Sequence, residues 1–304
     1  MPAGMYDPRR GDSAVLAERV IWPGTTSERD RTNYFTVHWF EKGAGTLEID
    51  GTLHRIAPPA LAFVGPYHRV RVDPARRLEG IGVRFHANFL CVETFHAESG
   101  CSGVLFNDPF GSPIVPIPPP ARAQVRAVVA AIGRELSTRQ LGYEEVVTAN
   151  LKILLVVATR LKGAARPPAS RTDHRHPLVA RLTQAIEGHY RTRHAPAEYA
   201  ALLNMTPKAL ARFARAQFGK TMTELVRERL LIDAKWDLLH TLKPVKEIAG
   251  ALGFADELYF SRLFKKATGR SPSDFREFET AIRGGSNLSM SLSGPPIPPQ
   301  PVQG

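Results

Sequence analysis

The sequence feature that most constrains the fold is a helical pattern that occurs twice, about fifty residues apart. In the second copy, residues 245–271, apolar residues recur at i, i+3, i+4 and i+7 in two short runs, which is the spacing of one helix face. Gly253, between the runs, tolerates positive φ and can end the first helix, and Asp256 can cap the second. Two short amphipathic helices joined by such a turn form a helix-turn-helix.

The first copy keeps the same landmarks. Asn204 stands in the place of Gly253 and also tolerates positive φ, and Thr206 is an N-cap followed by proline at the first helical position. A shift of 50 residues aligns Arg262 of the second copy with Arg212 of the first. In the second helix of each copy, one face is apolar and the opposite face is polar and carries long basic side chains. This arrangement suits a helix that lies in a DNA major groove.

Short motifs follow one another in a fixed order through the second copy. They are Ile-Ala at 248–249, Gly-Phe at 253–254, Tyr-Phe-Ser-Arg at 259–262, Phe-Lys-Lys at 264–266, Gly269 and Ser-Pro at 271–272. With the upstream phrase RERLLIDAKWDLLHT they resemble the DNA-binding domain of AraC/XylS-type transcription regulators, over about residues 177–283. The sequence departs from the family pattern at Glu257, Leu258 and Thr206, which bears on the bases that are read and not on the fold.

The resemblance implies which side chains face the DNA. Carried over by alignment, the base-facing positions are Lys208, Ala211, Arg212, Leu258, Tyr259 and Arg262. Arginine can contact guanine with two hydrogen bonds, so Arg212 and Arg262 are the main predicted base readers, each contributing about 1–3 kcal/mol of discrimination. The side chains predicted to contact phosphates are Thr206, Arg215, Lys265, Lys266 and Arg270.

The distribution of charge agrees with this prediction. The whole chain carries a formal net charge of +11. Residues 174–283 contain 19 Lys and Arg against 12 Asp and Glu, whereas the 173 residues before them contain 21 against 17. The carboxy-terminal part is therefore the part of the chain that is more attractive to a polyanion.

Residues 33–85 differ in character, with short runs of Val, Ile, Phe and Tyr between turn residues. This pattern predicts a small antiparallel sandwich or barrel. Asp50-Gly51 predicts a type I′ hairpin, and residues 1–30 are expected to form an arm of mixed order. The predicted strands are 34–40, 45–49, 52–56, 61–64, 68–72 and 78–85.

Residues 40–70 are also similar to the cupin-like effector domain that precedes the DNA-binding part of many AraC-type regulators, and this resemblance covers roughly residues 20–115. Cupin enzymes hold a metal with an HxH pair, a carboxylate and a later histidine. The histidines here occur singly, at His38, His54, His68, His86 and His96. We therefore predict no metal, no cofactor and no enzymatic activity.

Other sequence features limit the compartment. The two cysteines, Cys91 and Cys101, are too few for a disulfide scaffold and lack a CxxC spacing, so a reducing cytoplasm is expected, with a Cys91–Cys101 disulfide as the less favoured alternative. The start of the chain does not resemble a signal peptide, and the longest aliphatic run, 153–158, is far shorter than a membrane span. We therefore expect neither membrane insertion nor secretion.

Beyond the proline-rich residues 113–120, apolar spacing predicts a helical hairpin within residues 121–161. Its second helix is apolar around much of its circumference, which fits either intradomain core or, as the family resemblance implies, a homodimer interface. The predicted organisation is a cupin-like effector and dimerisation domain at 1–162, a linker at 163–177, the tandem helix-turn-helix domain at 178–283 with a connecting helix near 222–242, and a disordered tail at 284–304.

The predicted fold is thus multidomain, an all-β cupin-like sandwich or barrel with a helical hairpin followed by an all-α domain. The predicted function is sequence-specific binding of double-stranded promoter DNA by a transcription regulator, an activator that responds to a small-molecule effector. RNA polymerase and a second copy of the chain are the further expected partners. Two alternatives remain: a cupin-type enzyme fused to a DNA-binding domain, and a ligand-independent dimeric DNA-binding protein.

Overall fold

The computed structural model describes residues 4–91, 104–165 and 176–283 and divides into two compact units. The first comprises Met1–Asp108 with Ser112–Arg166, and the second Pro109–Gly111 with Pro167–Gly304. No helix within the described ranges is long and apolar enough to cross a membrane. The predicted tail, and most of the predicted linker, lie outside the described residues.

The amino-terminal unit is built on an antiparallel sheet with the strand order β1-β6-β3-β5-β7, while β2 pairs with β6 and β4 pairs with β3. This sheet confirms the predicted all-β architecture. Its strands are β1 (Val15–Trp22), β2 (Ser27–Arg29), β3 (Phe35–Ile49), β4 (Thr52–Ile56), β5 (Ala60–Val64), β6 (Val70–Phe85) and β7 (Ile114–Pro116). The Asp50-Gly51 hairpin is confirmed, because both residues have positive φ and Ile49 pairs with Thr52 across the turn.

The structure corrects the predicted strands in two ways. The segments predicted as separate strands at 34–40 and 45–49 are one strand, β3, and those at 68–72 and 78–85 are one strand, β6. The pairing of these two strands shifts register between Phe40 and Gly45, so the chain bends at a bulge where the sequence indicated a turn. Gly80 permits the close approach there, since a Cβ at this position would lie 1.9 Å from the carbonyl oxygen of Trp39.

The second correction concerns segments expected to lie outside the sheet. Residues 1–30 were expected to form an arm, but they contain β1, which pairs with the second half of β6, and β2. Burial alternates only in the second half of β1, where Arg19 and Ile21 are exposed and Val20 and Trp22 are buried, so the first half of its sequence lacks the period of a half-buried strand. Within the predicted proline-rich connector, β7 pairs with β5.

Two helices, α1 (Pro119–Thr138) and α2 (Tyr143–Ala165), form the predicted hairpin and pack on one face of the sheet. α2 extends three residues into the predicted linker. Its buried residues belong to the core of this unit, and they are Val147, Leu151, Leu154, Leu155 and Ala158. A second apolar cluster, which includes Trp22, Phe40 and Leu78, covers the other face of the sheet.

The carboxy-terminal unit contains only helices within its described residues. They are α3 (His176–His189), α4 (Pro196–Leu202), α5 (Pro207–Phe218), α6 (Met222–His240), α7 (Val245–Ala251), α8 (Glu257–Thr268) and α9 (Pro272–Ile282). The two predicted helix-turn-helix units are α4 with α5 and α7 with α8, and α6 connects them. α6 ends at His240, two residues earlier than predicted, and Arg276 of α9 donates hydrogen bonds to the carbonyl oxygens of Leu238 and Lys243 at this end.

Candidate nucleic-acid interface

The two helix-turn-helix units close their turns with the same backbone geometry. In the first, Asn204 has φ 55° and the Met205 amide donates to the carbonyl oxygen of Ala200 at 2.8 Å. In the second, Gly253 has φ 81° and the amide of the next residue donates to the carbonyl oxygen of Ala249 at 2.9 Å. Both are the six-to-one hydrogen bonds of a Schellman motif. The duplication predicted from sequence is therefore confirmed at the level of individual hydrogen bonds.

Side-chain caps fix where each second helix begins. The Thr206 hydroxyl accepts a hydrogen bond from the Ala209 amide at 3.2 Å, and α5 starts at the proline that follows. The Asp256 carboxylate accepts from the amides of Leu258 and Tyr259 at 2.8 and 3.2 Å. Each cap stabilises its helix by about 1 kcal/mol. Both helices therefore start at the predicted residues, which sets the rotation of their side chains.

Each second helix buries one face and exposes the other. Leu210 and Ala214 of α5 are buried, as are Phe260 and Phe264 of α8. All the residues predicted to face the bases lie on the exposed side, and they are Lys208, Ala211, Arg212, Leu258, Tyr259 and Arg262. Among them Leu258 is 70% and Tyr259 46% exposed, although both are large apolar or aromatic residues. Such a surface is typical of an interaction site.

Arg262 has a weak intramolecular partner. Its Nη2 atom lies 3.8 Å from Oδ2 of Asp256, and the two side chains are 75% and 57% exposed. An exposed ion pair at this distance contributes at most a fraction of a kcal/mol. The guanidinium is therefore available to a base or a phosphate, while Asp256 keeps its capping hydrogen bonds.

Four of the five residues predicted to contact phosphates fall into two groups, and the fifth, Thr206, caps α5. Arg215, Lys265 and Lys266 are exposed on the last turns of α5 and α8. Arg270 is only partly exposed, because its guanidinium lies over the ring of Phe278 in α9, 4.1 Å from the ring centroid. This cation–π contact ties Arg270 to the core of the unit, a role that the sequence pattern did not indicate.

A buried charged network, which the sequence pattern did not indicate, joins the end of α3 to α6. Asp233 of α6 accepts hydrogen bonds from Tyr190 at 2.5 Å, from Arg191 at 2.6 Å and from Arg229 at 3.0 Å, and Arg229 also donates to Glu187 at 2.8 Å. Burial by itself would raise the pKa of Asp233, but these donors, Arg229 first, lower it below its usual value. Only the i, i+4 spacing of Arg229 and Asp233 is visible in the sequence.

The described residues contain no group of three or more His, Cys, Asp or Glu placed to hold a metal ion. His38, the first histidine considered for a metal, is buried in β3 between the rings of Trp22 and Phe40. Burial lowers its pKa to about 3. Cys101 and His96 lie outside the described residues.

Comparison with known proteins finds similarity to helix-turn-helix transcription regulators. A family model described as a helix-turn-helix domain matches residues 199–277. The chain is 30% identical over 283 residues to the HTH-type transcriptional activator RhaS of Klebsiella pneumoniae, covering 90% of this chain and 96% of that protein. It is 33% identical over 137 residues to the arabinose operon regulatory protein of Salmonella typhimurium, covering 44% and 47%. The solved C-terminal domain of AraT, a response regulator from Geobacillus stearothermophilus, is 30% identical, with 38% of this chain and 92% of that chain covered and a TM-score of 0.34.

The fold and the site define a protein with a tandem helix-turn-helix DNA-binding domain. Because the similarity to RhaS extends over almost the full length of both proteins, the chain belongs to the AraC/XylS family of DNA-binding transcription regulators. The chain spans about half the length of the arabinose operon regulatory proteins that it matches.

Proposed function

We propose that this chain regulates transcription by reading promoter DNA with the exposed faces of α5 and α8. The observation that carries the proposal is that both helices place an arginine, Arg212 or Arg262, at the equivalent position of an exposed face, opposite a buried apolar face. A guanidinium there reaches O6 and N7 of guanine. Ala211 and Leu258 offer apolar contact to a thymine methyl group, and the basic side chains nearer the helix ends hold the phosphates.

The length of α6 supports binding of both units to one side of a duplex. With 19 residues, α6 is about 28 Å long. Successive major grooves on one face of B-DNA lie about 34 Å apart. We therefore propose that the two units occupy successive major grooves of a bipartite operator.

Replacing Arg212 or Arg262 with alanine is expected to weaken binding to the operator by about 1–3 kcal/mol, because a bidentate contact to a guanine is lost. The operator is found by footprinting the purified protein on DNA upstream of its own gene and of neighbouring genes. The affinity of each variant is then measured for that operator and for a duplex of scrambled sequence. The loss is expected on the operator and not on the scrambled duplex.

Two controls separate base reading from charge. Lys265→Ala removes a proposed phosphate contact, so it should weaken binding to both duplexes alike and reduce the salt dependence. Arg227→Ala removes the same charge from an exposed position on α6 and should change neither affinity by much. Equal losses on operator and scrambled DNA for Arg262→Ala would contradict its role as a base reader.

We also propose that the amino-terminal unit senses a small molecule and that the DNA-bound protein contacts RNA polymerase and activates transcription in the cytoplasm. The similarity to RhaS, which is a transcriptional activator, supports the direction of regulation. A polar ligand would pair with Nδ1 of His38 and Nε of Arg84. These two buried atoms belong to the same face of the sheet and have no hydrogen-bond partner among the described residues. A footprint that no small molecule alters would favour the ligand-independent alternative.

The exposed side of α2 supports a homodimer. Val146 and Ile153, seven residues apart on this helix, are 41% and 44% exposed, and Leu141 in the preceding turn is fully exposed. Ile153→Glu is therefore expected to convert a dimer into a monomer, as measured by sedimentation equilibrium, because a charge would be buried in the apolar contact. Gln124→Glu, which adds the same charge on an exposed site of α1, should leave the dimer intact. A wild-type protein that is monomeric at all concentrations would contradict this proposal.

A further inference from the structure

One short segment contacts the connecting helix α6 and both helix-turn-helix units. Residues 190–194, here called the junction segment, follow α3 and lie before the first helix-turn-helix. Their first contact is with α6: the Arg191 guanidinium donates to Oδ2 of Asp233 from Nη2 at 2.6 Å and from Nε at 3.0 Å, and the Tyr190 hydroxyl donates to the same oxygen at 2.5 Å. Asp233 lies near the middle of α6, so the junction segment is fixed to the helix that connects the two units.

The second contact is with the first helix-turn-helix. Tyr199 of α4 is buried, and its hydroxyl donates a hydrogen bond to the carbonyl oxygen of Arg193 at 2.9 Å. Burial raises the pKa of Tyr199, so this hydroxyl stays protonated and remains a donor at any physiological pH. The first unit is therefore held against the backbone of the junction segment and not only joined to it by the chain.

The third contact is with the turn of the second helix-turn-helix. The ring of His194 lies 5.0 Å from that of Phe254, and the turn approaches the backbone of Arg191 so closely that a Cβ at position 253 would lie 2.0 Å from its carbonyl oxygen. Asn204 shows that asparagine adopts positive φ at the equivalent position of the first unit. The second unit thus requires glycine because of this packing, in addition to the backbone angle.

We propose that the junction segment is the positioning element that fixes the orientation of the two helix-turn-helix units relative to each other, and that Arg191 is its key positioning residue. The chain passes from the first unit to the second only through α6 and the turns at its two ends. Arg276 of α9 holds the carboxy-terminal end of α6, but a single covalent path fixes the two units less firmly than one that is joined by a second connection. The junction segment closes a second path, from the first unit through Arg193, Arg191 and Gly253 to the second.

This inference rests on the proposed function, because a fixed orientation matters for binding only if both units read one duplex. Two binding units held at the right separation gain an effective concentration that independent units lack. Units that must be ordered at the moment of binding lose affinity by that ordering. Loosening the junction segment should therefore weaken binding to a bipartite operator without changing how either unit binds its own half-site.

The test uses the full-length protein and a bipartite duplex that the wild-type protein selects from a random 30-bp library. Affinities are measured for this duplex, for two duplexes in which one half-site is scrambled, and for duplexes with one to five base pairs inserted between the half-sites. Arg191→Ala is expected to lower the affinity for the bipartite duplex roughly tenfold or more. It should lower the affinity for either duplex with a single intact half-site by less than about twofold. The affinity of this variant should fall less steeply with each inserted base pair than the affinity of the wild type.

Three further variants control this experiment. Arg181→Ala removes an exposed arginine from α3 and should behave as the wild type. Arg191→Lys keeps a donor for Asp233 and should restore part of the bipartite affinity. Gly253→Asn keeps a residue that tolerates positive φ but adds a side chain against the Arg191 carbonyl. Its affinities for the set of duplexes should therefore resemble those of Arg191→Ala. Asn204→Gly should not have this effect. The ¹⁹F signal of fluorinated Trp236, on α6, checks that each variant is folded.

The outcomes separate the possible roles. Equal weakening on all duplexes by Arg191→Ala would mean a direct phosphate contact or general destabilisation and would overturn the inference. An unchanged insertion profile in both Arg191→Ala and Gly253→Asn would overturn it as well, as would a wild-type protein that selects only one half-site. A wild-type protein that selects no sequence would overturn the proposed function, and the inference with it.

Discussion

Replacing Asp233 with alanine is expected to lower the free energy of unfolding of the DNA-binding unit by about 3–5 kcal/mol. The carboxylate is buried and satisfies three donors, so its removal leaves the guanidinium of Arg229, which is also buried, without its main compensating charge. Unfolding of the full chain is followed in urea by the ¹⁹F signal of fluorinated Trp236, which lies three residues away on α6 and reports this unit alone. The midpoint should fall while the transition stays cooperative.

Asp237, one turn further along α6, provides the matched control. It is also largely buried, but its nearest basic partner, Lys243, is 3.9 Å away, and burial raises its pKa. Its charge is thus poorly stabilised by the fold. Asp237→Ala should therefore lower the free energy of unfolding much less than Asp233→Ala. Similar losses for the two variants would show that the network around Asp233 contributes little beyond the packing of α6.

The pH dependence of the Asp233 effect has a definite sign. The pKa of Asp233 is lower in the folded protein than the 3.8 of a free aspartate. Its stabilising contribution is therefore complete above about pH 4 and is lost as the pH falls through the folded pKa. The difference in stability between the wild type and Asp233→Ala should be constant from neutral pH to about pH 5 and shrink only in stronger acid.

The amino-terminal unit is expected to lose stability at a much higher pH, because of His38. Burial lowers the pKa of this histidine from 6.5 to about 3, so it stays neutral in the folded protein at a pH where the unfolded chain is protonated. Between these two values the unfolded state binds one more proton, and stability falls by up to about 1.4 kcal/mol per pH unit as the pH decreases. The stabilising contribution of neutral His38 is complete above pH 6.5 and is lost progressively below it. The loss of stability reaches about 4 kcal/mol near pH 3.5.

His38→Leu tests this expectation. The ring lies between apolar and aromatic neighbours, and its Nδ1 atom has no hydrogen-bond partner among the described residues, so an apolar side chain should be tolerated at pH 7.5. Urea unfolding from pH 7.5 to 4, followed by the ¹⁹F signals of fluorinated Trp22 and Trp39, should show a shallower loss of stability in the variant. Phe40→Leu, which disturbs the same cluster without removing a titratable group, should lower stability and keep the wild-type slope. Parallel slopes for wild type and His38→Leu would contradict the prediction.

The features that the sequence predicted correctly are local ones. A cap requires two or three consecutive residues, a Schellman turn requires one residue with positive φ, and an amphipathic helix requires a period of 3.6. Asp256, Thr206 and the Asp50-Gly51 hairpin carry all of this information within a few positions, and the structure places them as predicted. Because the same landmarks occur in both copies, the prediction of each helix-turn-helix supported the prediction of the other.

The features that the sequence missed depend on partners far along the chain. The register of β1 is set by pairing with β6, which begins about fifty residues later, and burial alternates only over the second half of β1. The bulge that merges the predicted strands into β3 and β6 likewise depends on how two distant strands meet. The contact of the Arg270 guanidinium with the ring of Phe278 was not predicted either, and the phosphate contact of Arg270 stays a prediction.

By itself, the sequence determined that the carboxy-terminal part folds as two helix-turn-helix units and which side chains their second helices expose, because caps and helical periodicity act over one or two turns of chain. Only the tertiary structure decided how those units are held. Asp233 becomes the centre of a network because α3 and α6 pack together, which brings Glu187, Tyr190 and Arg191 within hydrogen-bonding distance of α6. Position 253 requires glycine because a backbone carbonyl from another segment lies against it, and such a contact has no signature in the residues around it.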